Sequence, residues 1–328
     1  MTKESASERR LRDFNVACEA AQPDHLQKIV TKALKDTHHR VVAKAATVCS
    51  DQLLYSLENE LKAAYERMCV TSAKRDPQCL AKNAIVRALV TLDSQDHEFF
   101  LLGTGYRQME PTWGGAVDTA LDIRVSCAMG LVGTSYDGVT VALAELLVDE
   151  EPYVRCGAAR ALACVPRDRA EPLLHFKARI GDSEAEVLGD CFSSLLQIAA
   201  EEAVAFVAEF LDADGPGVRA FAALALGESR EPAALSPLLQ AFDGPYLDPE
   251  FRRVLIRAVV LHRSEDSINW LLGVVRDRDP AACQLVIEEL AVFKSTNRIR
   301  DRVTEALEQR ADPTLSHVFQ QYWATAPT

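Results

Sequence analysis

The sequence predicts an all-α solenoid, an array of stacked helix pairs, and three observations carry that prediction. One helical phrase returns eight times, clearest in DEEPYVRCGAARALA (149–163), with its first buried residue at Val41, Ala81, Ile123, Val154, Val187, Val218, Phe251 and Ala282. The spacings of 40, 42, 31, 33, 31, 33 and 31 residues are the period of a helix-turn-helix unit that buries its apolar face only against its neighbours. Within each copy the apolar residues stand 0, 4, 5 and 8 positions after the anchor, one stripe of a 3.6-residue helix. At 328 residues the length alone suggests two or three globular domains, but a repeat array reaches this size as one elongated body, so a single array over 9–323 is expected.

Residues 1–8 and 324–328 read as loose tails. The segment 9–35, broken at Pro23, caps one end of the array, the repeats occupy 36–295, and 296–323, with DRVTEALEQR and PTLSHVFQQYW, caps the other. Four residues after each anchor come Ala45, Ile85, Cys127, Ala158, Cys191, Ala222, Leu255 and Val286; eight after it come Cys49, Leu89, Leu131, Leu162, Leu195, Leu226, Val259 and Leu290. Each phrase is therefore the inner helix of a pair. The outer helices precede them, as in GVTVALAELLV (138–148), EEAVAFVAEFL (201–211) and SINWLLGVV (267–275), each opened by turn-forming or capping residues. The first long spacing is taken up by 51–68, DQLLYSLENELKAAYERM, read as an outer helix lengthened by two turns. The second is taken up by 103–117, GTGYRQMEPTWGGAV, a long loop.

Two polar positions recur with the stripe. Asp stands five residues before the anchor at 36, 76, 118, 149, 182 and 277, and a basic residue follows the anchor at Lys82, Arg124, Arg155, Arg219 and Arg252. The Asp is placed to accept from free N–H groups at the helix start, and the cation to reach that Asp or the one in the next repeat. A repeated element serves the stacking that all copies share, so these residues are expected to form a structural ladder.

The phrase D-x4-V-R-x2-A-A-x-A-L resembles the HEAT repeat, in the short bacterial form first noted in phycobilisome lyases, over roughly residues 30 to 295. The resemblance implies a right-handed superhelix of about eight antiparallel helix pairs whose inner helices line a concave surface that commonly binds proteins. It implies no single activity.

A net charge of −12 argues against a general nucleic-acid or anionic-membrane partner, because both would repel the average surface. No stretch approaches the ~20 apolar residues of a membrane span, and MTKESASERRLRDF lacks the apolar core of a signal peptide, so a cytoplasmic location is expected. Nine cysteines form no CxxC pair and several fall where the repeat wants a small buried residue, the usage of a reducing compartment rather than of disulfides or zinc.

Binding residues are sought where the repeat breaks. The 103–117 loop carries Tyr106, Arg107 and Trp113, and a loop that lengthens in one repeat and holds a Trp and an Arg is a candidate contact; the competing reading tucks Tyr106 and Trp113 against the neighbouring repeat. Inner-helix positions two and six after the anchor point away from the stripe, toward the expected concave face. They include Arg87, Arg160, Arg253 and Arg257, positive charge suited to steering an acidic partner segment. The expected partner is thus a protein or peptide, with neither nucleic acid nor membrane, and no cofactor, metal site or catalytic residue is assigned. The alternative is a catalytic or cofactor-handling HEAT protein of the phycobilin lyase or deoxyhypusine hydroxylase type. The hydroxylase resemblance implies two irons held between repeated His-Glu pairs, and this chain has one such pair, His97-Glu98. No P-loop, dinucleotide fingerprint, nucleophile elbow or HExxH motif is present.

Overall fold

Each of the eight predicted inner helices forms. In the computed structural model, which describes residues 6–70, 73–244 and 247–323, they are α3 (His39–Asp51), α5 (Leu80–Thr91), α7 (Leu121–Val132), α9 (Pro152–Leu162), α11 (Ala185–Ala199), α13 (Pro216–Ser229), α15 (Pro249–His262) and α17 (Pro280–Leu290). Their stripes are the core. All sixteen residues at offsets 4 and 5, from Ala45 and Ala46 to Val286 and Ile287, have no solvent exposure, and those at offset 8 are buried without exception. Among the anchors only Val218 is left half-buried. Full burial of an aliphatic side chain is worth ~1.5–3 kcal/mol, so the stripe supplies most of the cohesion between helices of low intrinsic stability.

The outer helices are α2 (Pro23–Leu34), α4 (Glu58–Cys69), α6 (His97–Thr104), α8 (Val139–Leu146), α10 (Arg167–Ile180), α12 (Glu201–Ala208), α14 (Pro232–Phe242) and α16 (Glu265–Asp277). Proline at the first turn opens α9, α13, α14, α15 and α17, where its missing N–H is no loss. Left-handed residues end several helices, at Arg230 after α13 and Arg263 after α15. The chain falls into two compact units, Met1–Val165 and Pro166–Thr328. In the first, α3, α5, α7 and α9 pack in succession; in the second, α11, α13, α15 and α17 do.

The end segments take repeat positions. Ahead of the first pair, α1 (Ala6–Glu19) packs on α3, while α18 (Asn297–Arg310) stacks on α16 and α19 (Pro313–Trp323) on α17, as a further outer and inner helix. The expected N-terminal tail thus gives way to helix at Ala6; residues 1–5 and 324–328 of the expected tails lie outside the described residues.

Two readings of the long spacings need correction. Helix α4 has 12 residues, as α2 has, and is not lengthened. The extra chain sits in its flanking turns, as short 3-10 segments at Tyr55–Leu57, Ala73–Arg75 and Pro77–Cys79. The 103–117 segment is no irregular loop: after α6 it forms an antiparallel hairpin of β1 (Met109–Thr112) and β2 (Gly115–Asp118), with Thr112 opposite Gly115 across the turn Trp113-Gly114. Gly114 has φ +104°, which an L side chain rarely adopts, so glycine there closes the ribbon.

Candidate functional site

The hairpin stands on a buried ionic network. Asp118, at the end of β2, accepts from the N–H groups of Gln108 (3.0 Å) and Ala120 (2.9 Å) and pairs with the Arg124 guanidinium at 2.5 Å. Arg124, with no solvent exposure, also reaches Asp149 of the next repeat at 3.3 Å. The structural ladder predicted from the recurring Asp and Arg is therefore real at this step. Burial alone would raise the Asp118 pKa, yet it lies below the ordinary carboxylate value, because Arg124 and the two N–H donors favour the anion more strongly. One repeat earlier, Asp76 pairs with Lys82 at 3.1 Å, both buried, and accepts from the N–H groups of Ala81 and Lys82. Gln108 ties the two rungs together by donating to the Asp76 carbonyl (3.0 Å) and to Glu110 (2.7 Å). In the second unit Asp182 keeps the ladder position and pairs with Lys177 at 2.7 Å, but ahead of α15 and α17 the acidic partner stands two residues further along. Asp248 and Asp279 cap α15 and α17 and receive Arg219 (3.1 Å) and Arg252 (3.3 Å), whereas Asp277, assigned to the ladder by its spacing, is exposed at the end of α16.

Tyr106, Arg107 and Trp113 divide by role. Tyr106 is half-buried, packs edge-on to Tyr65 and donates to Gln108 at 3.3 Å. Arg107 lies across Asp149 (3.3 Å) and Asp118 (3.6 Å). Both anchor the hairpin. Trp113, at the tip, is 105% exposed, and lower on the same ribbon Met109 is 57% and Val117 46% exposed. The tucked reading holds for Tyr106 and fails for Trp113.

At the hairpin's root the backbone is strained. Gln78 and Cys79 are consecutive left-handed residues at φ 57° and 53°, a conformation costing about 1–3 kcal/mol for each non-glycine residue. The Gln78 N–H donates to Glu110 of β1 at 2.7 Å, and the same Gln78 lines a groove of ≈ 610 Å³. Ala43, Thr47, Asn83 and Arg87 line that groove too, the residues two and six positions after the first two anchors. Groove and hairpin are thus joined through one hydrogen bond.

Of the four candidate arginines, the structure associates Arg87 and Arg160 and leaves Arg253 and Arg257 elsewhere, in the second unit. Asp122, ahead of the third anchor, accepts from Arg87 (3.2 Å) and from the Tyr153 hydroxyl (2.8 Å); this bond and burial raise the Tyr153 pKa, and the charges of Arg160 and Arg87 oppose the rise. Arg253 pairs with Glu288 at 3.0 Å, and Arg257 takes both Glu289 oxygens at 2.9 and 3.0 Å. Carboxylates one repeat on thus offset much of the positive face expected from the arginines, and that offset was not legible in residue spacing within a single copy. Met109, Val117, Asp122 and Tyr153 were missed. In EPTWGGAV the two-residue turn Trp113-Gly114, between short strands, is a hairpin signal that the helical surroundings masked.

Buried thiols behave as small hydrophobes: Cys49 is pushed up to about 12 by burial, and Cys127 and Cys191 sit in the stripe. His97 stacks on Tyr136, ring centroids 5.1 Å apart. Among the described residues no group of three or more His, Cys, Asp or Glu side chains is arranged to hold a metal, and no helix is long and apolar enough to cross a membrane.

Residues 173–248 match HEAT repeats. No curated protein matches the chain by sequence. Among solved structures it is similar to a mutant of Kap121p, at 12% identity over 98% of this chain and 44% of that one, with a TM-score of 0.50. Looser likenesses are to the complex of CpcE and CpcF of phycocyanin lyase from Nostoc sp. PCC7120 (16% identity, 73% of this chain and 91% of that one, TM-score 0.37) and to human deoxyhypusine hydroxylase in complex with glycerol (17%, 79% and 91%, 0.31). At these identities the likeness is one of fold.

Proposed function

We propose that this HEAT-repeat protein is a non-enzymatic scaffold that holds a protein or peptide on its first unit, along the groove between α3 and α5, with the hairpin as the gripping element. The observation that carries the reading is Trp113: a fully exposed indole on a ribbon whose base is fixed by buried charge. Leaving a large apolar ring in water is unfavourable, and binding hot spots concentrate in Trp that becomes desolvated on contact. A rigid base lowers the ordering cost of that contact. The groove supports the same reading, since the repeat positions that face away from the core line it. An acidic partner segment has less support, because Arg87, Arg253 and Arg257 are each met by a carboxylate of the chain.

We place the protein in the cytoplasm, on the strength of its free, buried cysteines. A single repeat series over 36–295 is part of the proposal, since the 33-residue interval from Val154 to Val187 keeps the repeat period.

A pull-down from native lysate, quantified by mass spectrometry, tests the binding site. Trp113→Ala is expected to reduce recovery of a partner by about 30-fold or more, the loss typical of a truncated hot spot, with no change in Tm. Equal recovery by wild type and variant would remove the hairpin from the site. Stoichiometric iron in the purified protein would overturn the non-enzymatic half of the proposal in favour of the hydroxylase-type alternative.

A further inference from the structure

Five side chains from two neighbouring turns line a cavity of ≈ 430 Å³: Thr37, His38 and His39 ahead of and entering α3, and Lys74 and Arg75 ahead of α5. Among the described residues no carboxylate lines it, in a chain of net charge −12. The two imidazoles stack, centroids 4.6 Å apart and planes 20° from parallel. His38 Nδ1 accepts the Arg40 N–H at 3.3 Å, which leaves Nε2 as the protonated nitrogen of the neutral ring. The adjacent carboxylates are engaged elsewhere. Asp36 accepts the His38 N–H at 2.7 Å and meets Arg10 at 3.2 Å, and Asp76 is held by Lys82.

We propose that this cavity binds a phosphoryl group, either free phosphate or a phosphate carried on a peptide side chain. Its lining presents a hydroxyl, imidazole N–H, an ammonium and a guanidinium fork, a donor set that a tetrahedral oxyanion with three or more acceptor oxygens can satisfy. A carboxylate offers two oxygens and fills fewer of these positions. The site does not depend on the scaffold reading, because none of its five residues lines the groove or belongs to the hairpin.

His38 serves as the reporter. Burial holds its pKa below the ordinary histidine value, and the positive neighbours His39, Arg10 and Arg40 lower it further, against Asp36. A bound anion acts in the opposite sense by favouring the imidazolium. The test follows the imidazole signals of the full-length chain by NMR across about pH 5 to 8, the range in which histidine titrates, in inorganic phosphate and in chloride of equal ionic strength. Phosphate is expected to move the His38 titration to higher pH, saturably, and Lys74→Ala/Arg75→Ala to weaken that binding by about tenfold or more with unchanged Tm, as loss of charge-assisted hydrogen bonds does. Identical His38 titrations in the two salts would overturn the proposal, and so would a phosphate-dependent shift that survives in the double variant. A phosphoserine tripeptide distinguishes the sources: tighter binding than inorganic phosphate assigns the site to a peptide-borne group, and equal or weaker binding to free phosphate.

Discussion

Arg124 shows how one side chain can be both a repeat element and a special case. It occupies the basic position that follows the anchor, and among the described residues it is the one arginine with no solvent exposure, placed between Asp118 of its own repeat and Asp149 of the next. Removing one partner of a buried ion pair leaves uncompensated charge at a cost of about 3–5 kcal/mol. Arg124→Met is therefore expected to lower unfolding free energy by roughly that amount in urea at pH 7. The deficit has a pH signature. The folded-state pKa of Asp118 is depressed, so the stability it contributes is fully present above the unfolded carboxylate value, about 3.9, and is lost as pH falls through the lower folded value. Without Arg124 that depression shrinks to what the two N–H donors sustain, and the gap between variant and wild type is expected to narrow below about pH 4. A gap independent of pH would show that Arg124 is not what holds Asp118 ionised.

At the scale of elements, helices meet through small residues on one side and arginine caps on the other. A Cβ added at Gly227 of α13 would lie 2.2 Å from the carbonyl oxygen of Ala258 in α15, a backbone atom that cannot rotate away. Gly227→Ala is expected to push the two helices apart at a cost of ~1–3 kcal/mol, read as a lower urea midpoint. An unchanged midpoint would mean that the two helices have room to slide. The outer row is tied by a different device. Arg67 of α4 donates to the carbonyls of Leu34 (2.5 Å) and Asp36 (3.4 Å) at the end of α2, and Arg310 of α18 donates to those of Val275 (3.2 Å), Arg276 (3.3 Å) and Arg278 (2.7 Å) at the end of α16. Each satisfies acceptors that a helix C-terminus leaves open.

For the molecule as a whole, a repeat array has two ends, and each must cover an apolar stripe that has no further neighbour. In the second unit α18 packs on α16 and α19 on α17, with Trp323 fully buried and its indole N–H donating to the Ile287 carbonyl at 2.9 Å. A chain ending at Ser295 would leave α16 without α18 and α17 without α19, and so uncover part of their buried surface. It is expected to melt at lower temperature and to form soluble aggregates on size-exclusion chromatography. A monomeric truncation with unchanged Tm would show that the last pair contributes nothing to the stack.

The repeat was legible from residue order because its code is local: offsets 0, 4, 5 and 8 follow from 3.6 residues per turn, and a stripe that must be buried leaves little choice of residue. The Asp and Arg ladder was legible for the same reason, being written within one copy and its successor. Three things depended on packing across copies. The 103–117 segment became a hairpin because Arg124, Asp149 and Gln108, up to 42 residues apart from their partners in sequence, fix its base. Arg87, Arg253 and Arg257 met carboxylates on the next inner helix, 32 to 35 residues on. Trp113 was left in water while Tyr106, seven residues earlier, was drawn in, since only one of them lay within reach of the neighbouring repeat's core. Periodicity sets which face of a helix is buried; which exposed charges and rings find partners is set by side chains that the chain order keeps far apart.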